Sequence, residues 1–132
     1  MELDKRKKIF IADDDRDILQ IMHLMLQTKA YDVETTCNAK KIFEFEKDLP
    51  DLILLDIWMS GVDGREICSQ LKKNERTKNI PVLFISANSN IKKIAEQYHA
   101  DGYIAKPFEM DYFLNKIEDM LEAERPVEPV DI

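Results

Sequence analysis

Ile9-Phe10-Ile11-Ala12-Asp13-Asp14-Asp15 passes from an apolar run straight into three carboxylates, and Leu52-Ile53-Leu54-Leu55-Asp56 repeats the transition further along the chain. Short runs that are apolar at every position read as strands covered on both faces, the habit of central strands in a parallel sheet. The acids then stand at two strand ends. Like charges about 4 Å apart repel by roughly 4 kcal/mol at an effective dielectric near 20, so a fold that converges them needs a cation or an added proton. The two runs point to a sheet and to a binding site at its edge.

Outward from these runs, short apolar segments alternate with helical patterns. Residues 8–12 predict a strand, and 15–29 a helix with Ile18, Met22 and Met25 on one face. Residues 32–37 read as a weaker second strand, 39–47 as a short helix capped by Asn38, and 52–56 as the third strand. Gly61 and Gly64 mark a loop before a helix over 65–74 that buries Ile67 and Leu71. Residues 81–86 form a strand whose proline stands first, where no ladder donor is lost. Ile91, Ile94, Ala95 and Tyr98 make a helical stripe, Gly102-Tyr103-Ile104 a last strand, and Met110, Phe113, Leu114, Ile117 and Leu121 the clearest amphipathic helix. Five strands alternating with five helices imply an α/β fold in three layers, a doubly wound parallel sheet wrapped on both faces by right-handed crossovers.

A chain of 132 residues is enough for one domain with a real core. We read 1–123 as that domain and 124–132, with Pro126 and Pro129 and no periodicity, as a linker or disordered tail. The 45% hydrophobic and 34% charged composition is that of a soluble globular chain, and the net charge of -7 argues against capture by nucleic acid or anionic lipid. Neither a signal-peptide core nor a membrane-length apolar stretch appears, so a cytoplasmic location is expected. Cys37 and Cys68 are too few and too far apart for a zinc site or disulfide scaffold and read as small buried hydrophobes.

In doubly wound sheets ligands bind outside the carboxyl ends of the strands, at the switch point. Asp13 and Asp14 follow the first strand, Asp56 ends the third, Ser86 ends the fourth and Lys106 follows the fifth. One edge thus gathers three carboxylates, a hydroxyl and an ammonium. An acidic triplet is often only a solvated helix start, and Asp15 is assigned that capping role alone. Unrelated surface charges would not track four strand ends. His23 and His99 each stand alone on a helix and read as ordinary surface histidines, and the pairs Lys72-Lys73 and Lys92-Lys93 as solvated faces.

Over roughly residues 8–121 the sequence resembles the receiver domains of two-component response regulators. Ile11-Ala12-Asp13-Asp14-Asp15 is similar to the family's acidic pair after strand one, and Leu54-Leu55-Asp56-Ile57-Trp58-Met59-Ser60-Gly61-Val62-Asp63-Gly64 to its phosphoacceptor loop. Ile85-Ser86-Ala87 and Ala105-Lys106-Pro107-Phe108 resemble its remaining two signatures. The resemblance implies a flavodoxin-like (βα)5 fold with strand order 2-1-3-4-5. It implies that Asp56 accepts a phosphoryl group from a phosphohistidine of a sensor histidine kinase or phosphotransfer protein. Mg²⁺ would be held by Asp13, Asp14, Asp56 and the backbone carbonyl of Trp58. Lys106 and Ser86 would stabilise the transferring group, and Ser86 and Tyr103 would switch a face made by the fourth helix, fifth strand and fifth helix. The Lys106-Pro107 bond would be cis.

The resemblance makes the chain a signalling switch rather than an enzyme with a separate substrate, catalysing only its own phosphorylation and slow autodephosphorylation. Its partners would be the kinase and an output protein or domain, with a homodimer possible through the output face. Two positions depart from the pattern: Ser60 stands where proline is common, and the bulky Trp58 stands two after Asp56, where with Asn88 it would flank an attacking water. The alternative is a binding module with the receiver fold that works unphosphorylated. A hydrolase of the aspartyl-phosphate type usually carries a second Asp two residues after the nucleophile, and here that residue is Trp58.

Overall fold

A computed structural model describes residues 6–59 and 61–123. The expected tail over 124–132 and the departure at Ser60 lie outside the described residues.

Strands β1 (Lys8–Ala12), β2 (Asp32–Thr36), β3 (Leu52–Asp56), β6 (Val82–Ser86) and β7 (Gly102–Ala105) form one parallel sheet in the order β2-β1-β3-β6-β7. Counting sheet strands alone, this is the expected 2-1-3-4-5. The remaining two strands, β4 (Trp58–Met59) and β5 (Val62–Asp63), make a small antiparallel ladder directly after β3.

Alternate residues of the central strands feed two cores. Phe10, Ala12, Ile53, Leu55, Val82 and Phe84 point to one side, where Ile67, Cys68 and Leu71 of α2 (Gly64–Lys73) and Ile91 and Ala95 of α3 (Ile91–Gln97) cover them. Ile9, Ile11, Leu52, Leu54, Leu83 and Ile85 point to the other, under α1 (Arg16–Gln27) and α4 (Met110–Ala123). A strand that buries both faces must be apolar throughout, which is why β1, β3 and β6 lack the alternation of a half-exposed strand. The edge strand β2 is exposed or half-buried along its whole length, and its sequence is correspondingly polar.

Two expectations are corrected. The second helix, read over 39–47, is a 3-10 segment, Ala39–Glu44, anchored by the Asn38 side chain accepting from Lys40 N and burying Ala39 and Ile42. With only two inward residues, two tight turns suffice to cover its part of the sheet. On α1 the buried stripe is Leu19, Met22 and Leu26, while Ile18 and Met25 are half-buried. Both stripes have helical spacing; the way α1 docks on the sheet decides between them. The cap of α1 is Asp15, whose carboxylate accepts from Asp17 N at 3.0 Å and Ile18 N at 3.2 Å, as assigned.

After α1 the chain reverses through Ala30, exposed and at a φ of 60°. A left-handed Cβ costs roughly 1–2 kcal/mol, which glycine avoids while adding unfolded-chain entropy. Ala30→Gly is therefore expected to stabilise the protein by about 0.5–1 kcal/mol in urea titrations.

Both cysteines are free thiols. Cys68 is fully enclosed, and burial pushes its thiol up to about 11. A thiol reagent is expected to modify half-buried Cys37 in the native protein and Cys68 only after unfolding, read as one thiol against two.

Candidate functional site

The parallel registers bring the candidate groups to one edge. Ala12 pairs with Leu55, Asp56 with Ile85, and Ser86 with Ala105, so the residues at or just beyond these positions line the carboxyl end of the sheet. Lys106 N donates to Ser86 O at 2.9 Å, and the Lys106-Pro107 bond is cis as expected.

Asp13 is almost wholly buried. Its Oδ1 accepts from Asp15 N at 2.9 Å, and its Oδ2 lies 2.8 Å from Lys106 Nζ. That approach is off the hydrogen-bonding direction, so Oδ2 has an ionic neighbour but no aligned donor. The same ammonium is 3.9 Å from Asp56 Oδ2, nearer to Asp13 than to Asp56. Asp56 is half-buried, with Trp58 N 3.4 Å from its Oδ1. Burial, and next the charge of Asp13, push the Asp56 carboxyl up to about 6, while Lys106 and the Trp58 N–H pull it back. One ammonium between two carboxylates leaves the pocket short of positive charge.

Asp14 lies exposed beside this pocket. Among the described residues no three carboxylate, imidazole or thiol side chains converge as a ready-made cage. The donors still fit a hard cation: Asp13 Oδ2 lacks an aligned donor, the ligands are oxygens, and Mg²⁺ is commonly bound through one or two carboxylates while keeping several waters. The four histidines and cysteines all lie elsewhere in the chain, so a softer metal finds no partners.

Ser86 is buried, its Oγ accepting from Asn88 N at 3.0 Å. Tyr103 is half-buried on β7 and packs against the core beneath α3. The side chain of Trp58 is 57% exposed, outside the core that its neighbours Ile57 and Met59 enter.

Three residues matter more than their sequence reading implied. Gly64 was only a loop marker. Its N–H donates to Ile57 O at 2.8 Å, closing the turn after Asp56, and a Cβ there would land on the Asp56 carbonyl oxygen. Asp63 caps α2 by accepting from Arg65 N at 2.9 Å, and its carboxylate also takes the Arg65 guanidinium, at 3.0 Å from Nε to Oδ1 and 2.9 Å from NH2 to Oδ2. An acid directly before a helix was a legible capping signal. The use of that carboxylate by Arg65 was not.

The class this geometry defines is the three-layer (βα)5 fold, here with acids, a hydroxyl and a lysine gathered at one carboxyl edge of the sheet. The chain belongs to the response regulator receiver domain family, whose sequence profile matches residues 9–118. It is a receiver domain of two-component response regulators. It is 35% identical over 130 residues to the response regulator ArlR of Staphylococcus saprophyticus, covering 95% of this chain and 57% of that protein. It is 36% identical over 122 residues to the nisin biosynthesis regulatory protein NisR of Lactococcus lactis, covering 89% and 51%. The chain thus spans about half the length of these relatives. A putative response regulator from Chloroflexus aurantiacus superposes with a TM-score of 0.83 at 27% identity, covering 89% of this chain and 99% of that one.

Proposed function

We propose that Asp56 is the phosphoacceptor, taking a phosphoryl group from a phosphohistidine of a sensor histidine kinase or phosphotransfer protein. The observation that carries this reading is the pairing of Asp13 and Asp56 around one ammonium, Lys106, at the strand edge.

A carboxylate oxygen of Asp56 attacks phosphorus as the P–N bond of the donor breaks and its electron pair returns to the imidazole, leaving an acyl phosphate on Asp56. Ionised Asp56 needs no general base, but the approaching phosphoryl oxygens need their charge offset. Mg²⁺ held by Asp13, Asp14, Asp56 and the Trp58 carbonyl supplies that positive charge when bound. Lys106 lies within reach of both carboxylates and contributes a fixed cation to the phosphoryl oxygens. Ser86 keeps its hydroxyl hydrogen for a phosphoryl oxygen, since its Oγ serves Asn88 only as an acceptor.

The switch follows from Ser86 turning toward the phosphoryl group and Tyr103 moving into the space beside it, altering the face of α3, β7 and α4. Phosphorylation shifts this equilibrium only by its unequal contacts in the two states. The chain works as a cytoplasmic switch, with 1–123 as the receiver unit, and its output passes to a protein or domain docked on that face. Among the described residues no helix is long and apolar enough to cross a membrane.

The test is acetyl phosphate with Mg²⁺ or with EDTA, followed by intact mass and peptide mapping. One phosphoryl group on the Asp56 peptide, only with Mg²⁺, is the expected result. A chain that stays unmodified with Mg²⁺ present, its circular dichroism unchanged, overturns the reading.

A further inference from the structure

We propose that Arg65 is a positioning residue for the Mg²⁺ site, acting through Trp58. The inference rests on the reading above, in which the Trp58 carbonyl and the neighbouring carboxylates hold the ion.

Trp58 carries two main-chain duties at the site: its N–H approaches Asp56 Oδ1, and its carbonyl is a proposed ligand. Yet its side chain is largely exposed and gains little from core packing. What restrains it lies across the β4–β5 ladder. Trp58 pairs with Asp63, and the Arg65 guanidinium stands 4.4 Å from the centroid of the Trp58 ring. The same guanidinium is 5.4 Å from the Tyr98 ring just after α3 and is gripped from below by both Asp63 oxygens. Arg65 is therefore a cation tied to Asp63 and close to two aromatic rings. Asp63 bonding raises the Arg65 pKa, keeping the cation present at any working pH. The attraction of the guanidinium to the indole ring ties the two-residue strand β4 to the start of α2.

Electrostatics makes the direction of the effect diagnostic. Removing a cation near a Mg²⁺ site should by charge alone tighten Mg²⁺ binding. Positioning predicts the opposite, since loss of groups that orient first ligands commonly weakens metal affinity about tenfold or more.

The experiment is calorimetric titration of the full chain with MgCl2, using wild type, Arg65→Ala, Arg65→Lys and, as a control, Lys72→Ala, which breaks the distant Lys72–Asp101 pair. Emission anisotropy of Trp58, the chain's one tryptophan, is recorded on the same samples. Expected is about tenfold weaker Mg²⁺ binding and lower Trp58 anisotropy in Arg65→Ala, little recovery in Arg65→Lys, and wild-type affinity in Lys72→Ala. Affinity in Arg65→Ala that is unchanged or tighter overturns the proposal, as does full recovery by lysine. If Arg65→Ala does not fold, Arg65→Gln, which keeps helix propensity and one bond to Asp63, is read by the same criteria. Wild type that binds no Mg²⁺ refutes the metal reading itself, a different failure from equal binding by wild type and variant.

Discussion

In EDTA at pH 7, Asp56→Asn is expected to melt about 3–10 °C above the wild-type chain and, when Mg²⁺ and acetyl phosphate are supplied, to take up no phosphoryl group. The second effect follows from loss of the attacking carboxylate, and the first from loss of its charge. Burial and the Asp13 charge raise the Asp56 carboxyl from 3.8 to about 6, so the folded protein holds its proton more tightly than the unfolded chain does. An acid raised in this sense contributes stability present below its unfolded pKa and lost as pH rises through about 6. At neutral pH the ionised carboxylate costs on the order of 1–3 kcal/mol, a net figure in which Lys106, 3.9 Å away, already offsets part of the burial and of the Asp13 repulsion. Asparagine removes the charge, and Lys106 then pairs with Asp13 alone. The gap between variant and wild type should shrink toward pH 4 and narrow when Mg²⁺ is added, since the ion offsets the repulsion that the substitution abolishes. Thermal melts by circular dichroism across that range read it directly. A variant less stable than wild type at pH 7 in EDTA would show that Lys106 more than balances the pair, and the crowding argument would fall.

Gly64→Ala should destabilise the protein by about 2–4 kcal/mol and slow phosphoryl uptake even in the folded fraction. The added methyl meets backbone, namely the Asp56 carbonyl oxygen, with the Asp56 carbonyl carbon 3.0 Å and Ile57 Cα 3.1 Å away. Backbone at the end of a central strand cannot swing aside as a flexible side chain can, so either α2 moves off the sheet or Asp56 moves off Lys106. Both outcomes disturb the surroundings of Asp56. Gly61 supplies the comparison, because its φ of +72° is unfavourable for alanine but its surroundings are open within 4 Å. Gly61→Ala should therefore cost only about 1 kcal/mol and leave the labelling rate near wild type. Equal costs at the two glycines in urea titrations would refute the contact account.

By itself the sequence determined the sheet and the edge at which the acids meet, and its strand order was legible only through the family resemblance. Runs such as 9–12 and 52–55, apolar at every position, suit only strands covered on both sides, and acids directly after them must emerge at the carboxyl ends. Asp15 as a cap was equally legible, because a carboxylate before a helix needs only local backbone donors. The acceptor loop and the lysine-proline pair were legible as family motifs.

Tertiary structure alone decided the rest. Leu19–Met22–Leu26 and Ile18–Met22–Met25 are both helical stripes, and only the sheet beneath α1 chose between them. Lys106 lies closer to Asp13 than to Asp56, Gly64 lies against the Asp56 carbonyl, and Arg65 stands beside Trp58 and Tyr98. Each of these is a contact between atoms brought together by the packing of separate elements. Periodicity and spacing report which way a residue faces along its own element, but a distance between side chains on different elements exists only once the sheet has twisted and the helices have docked.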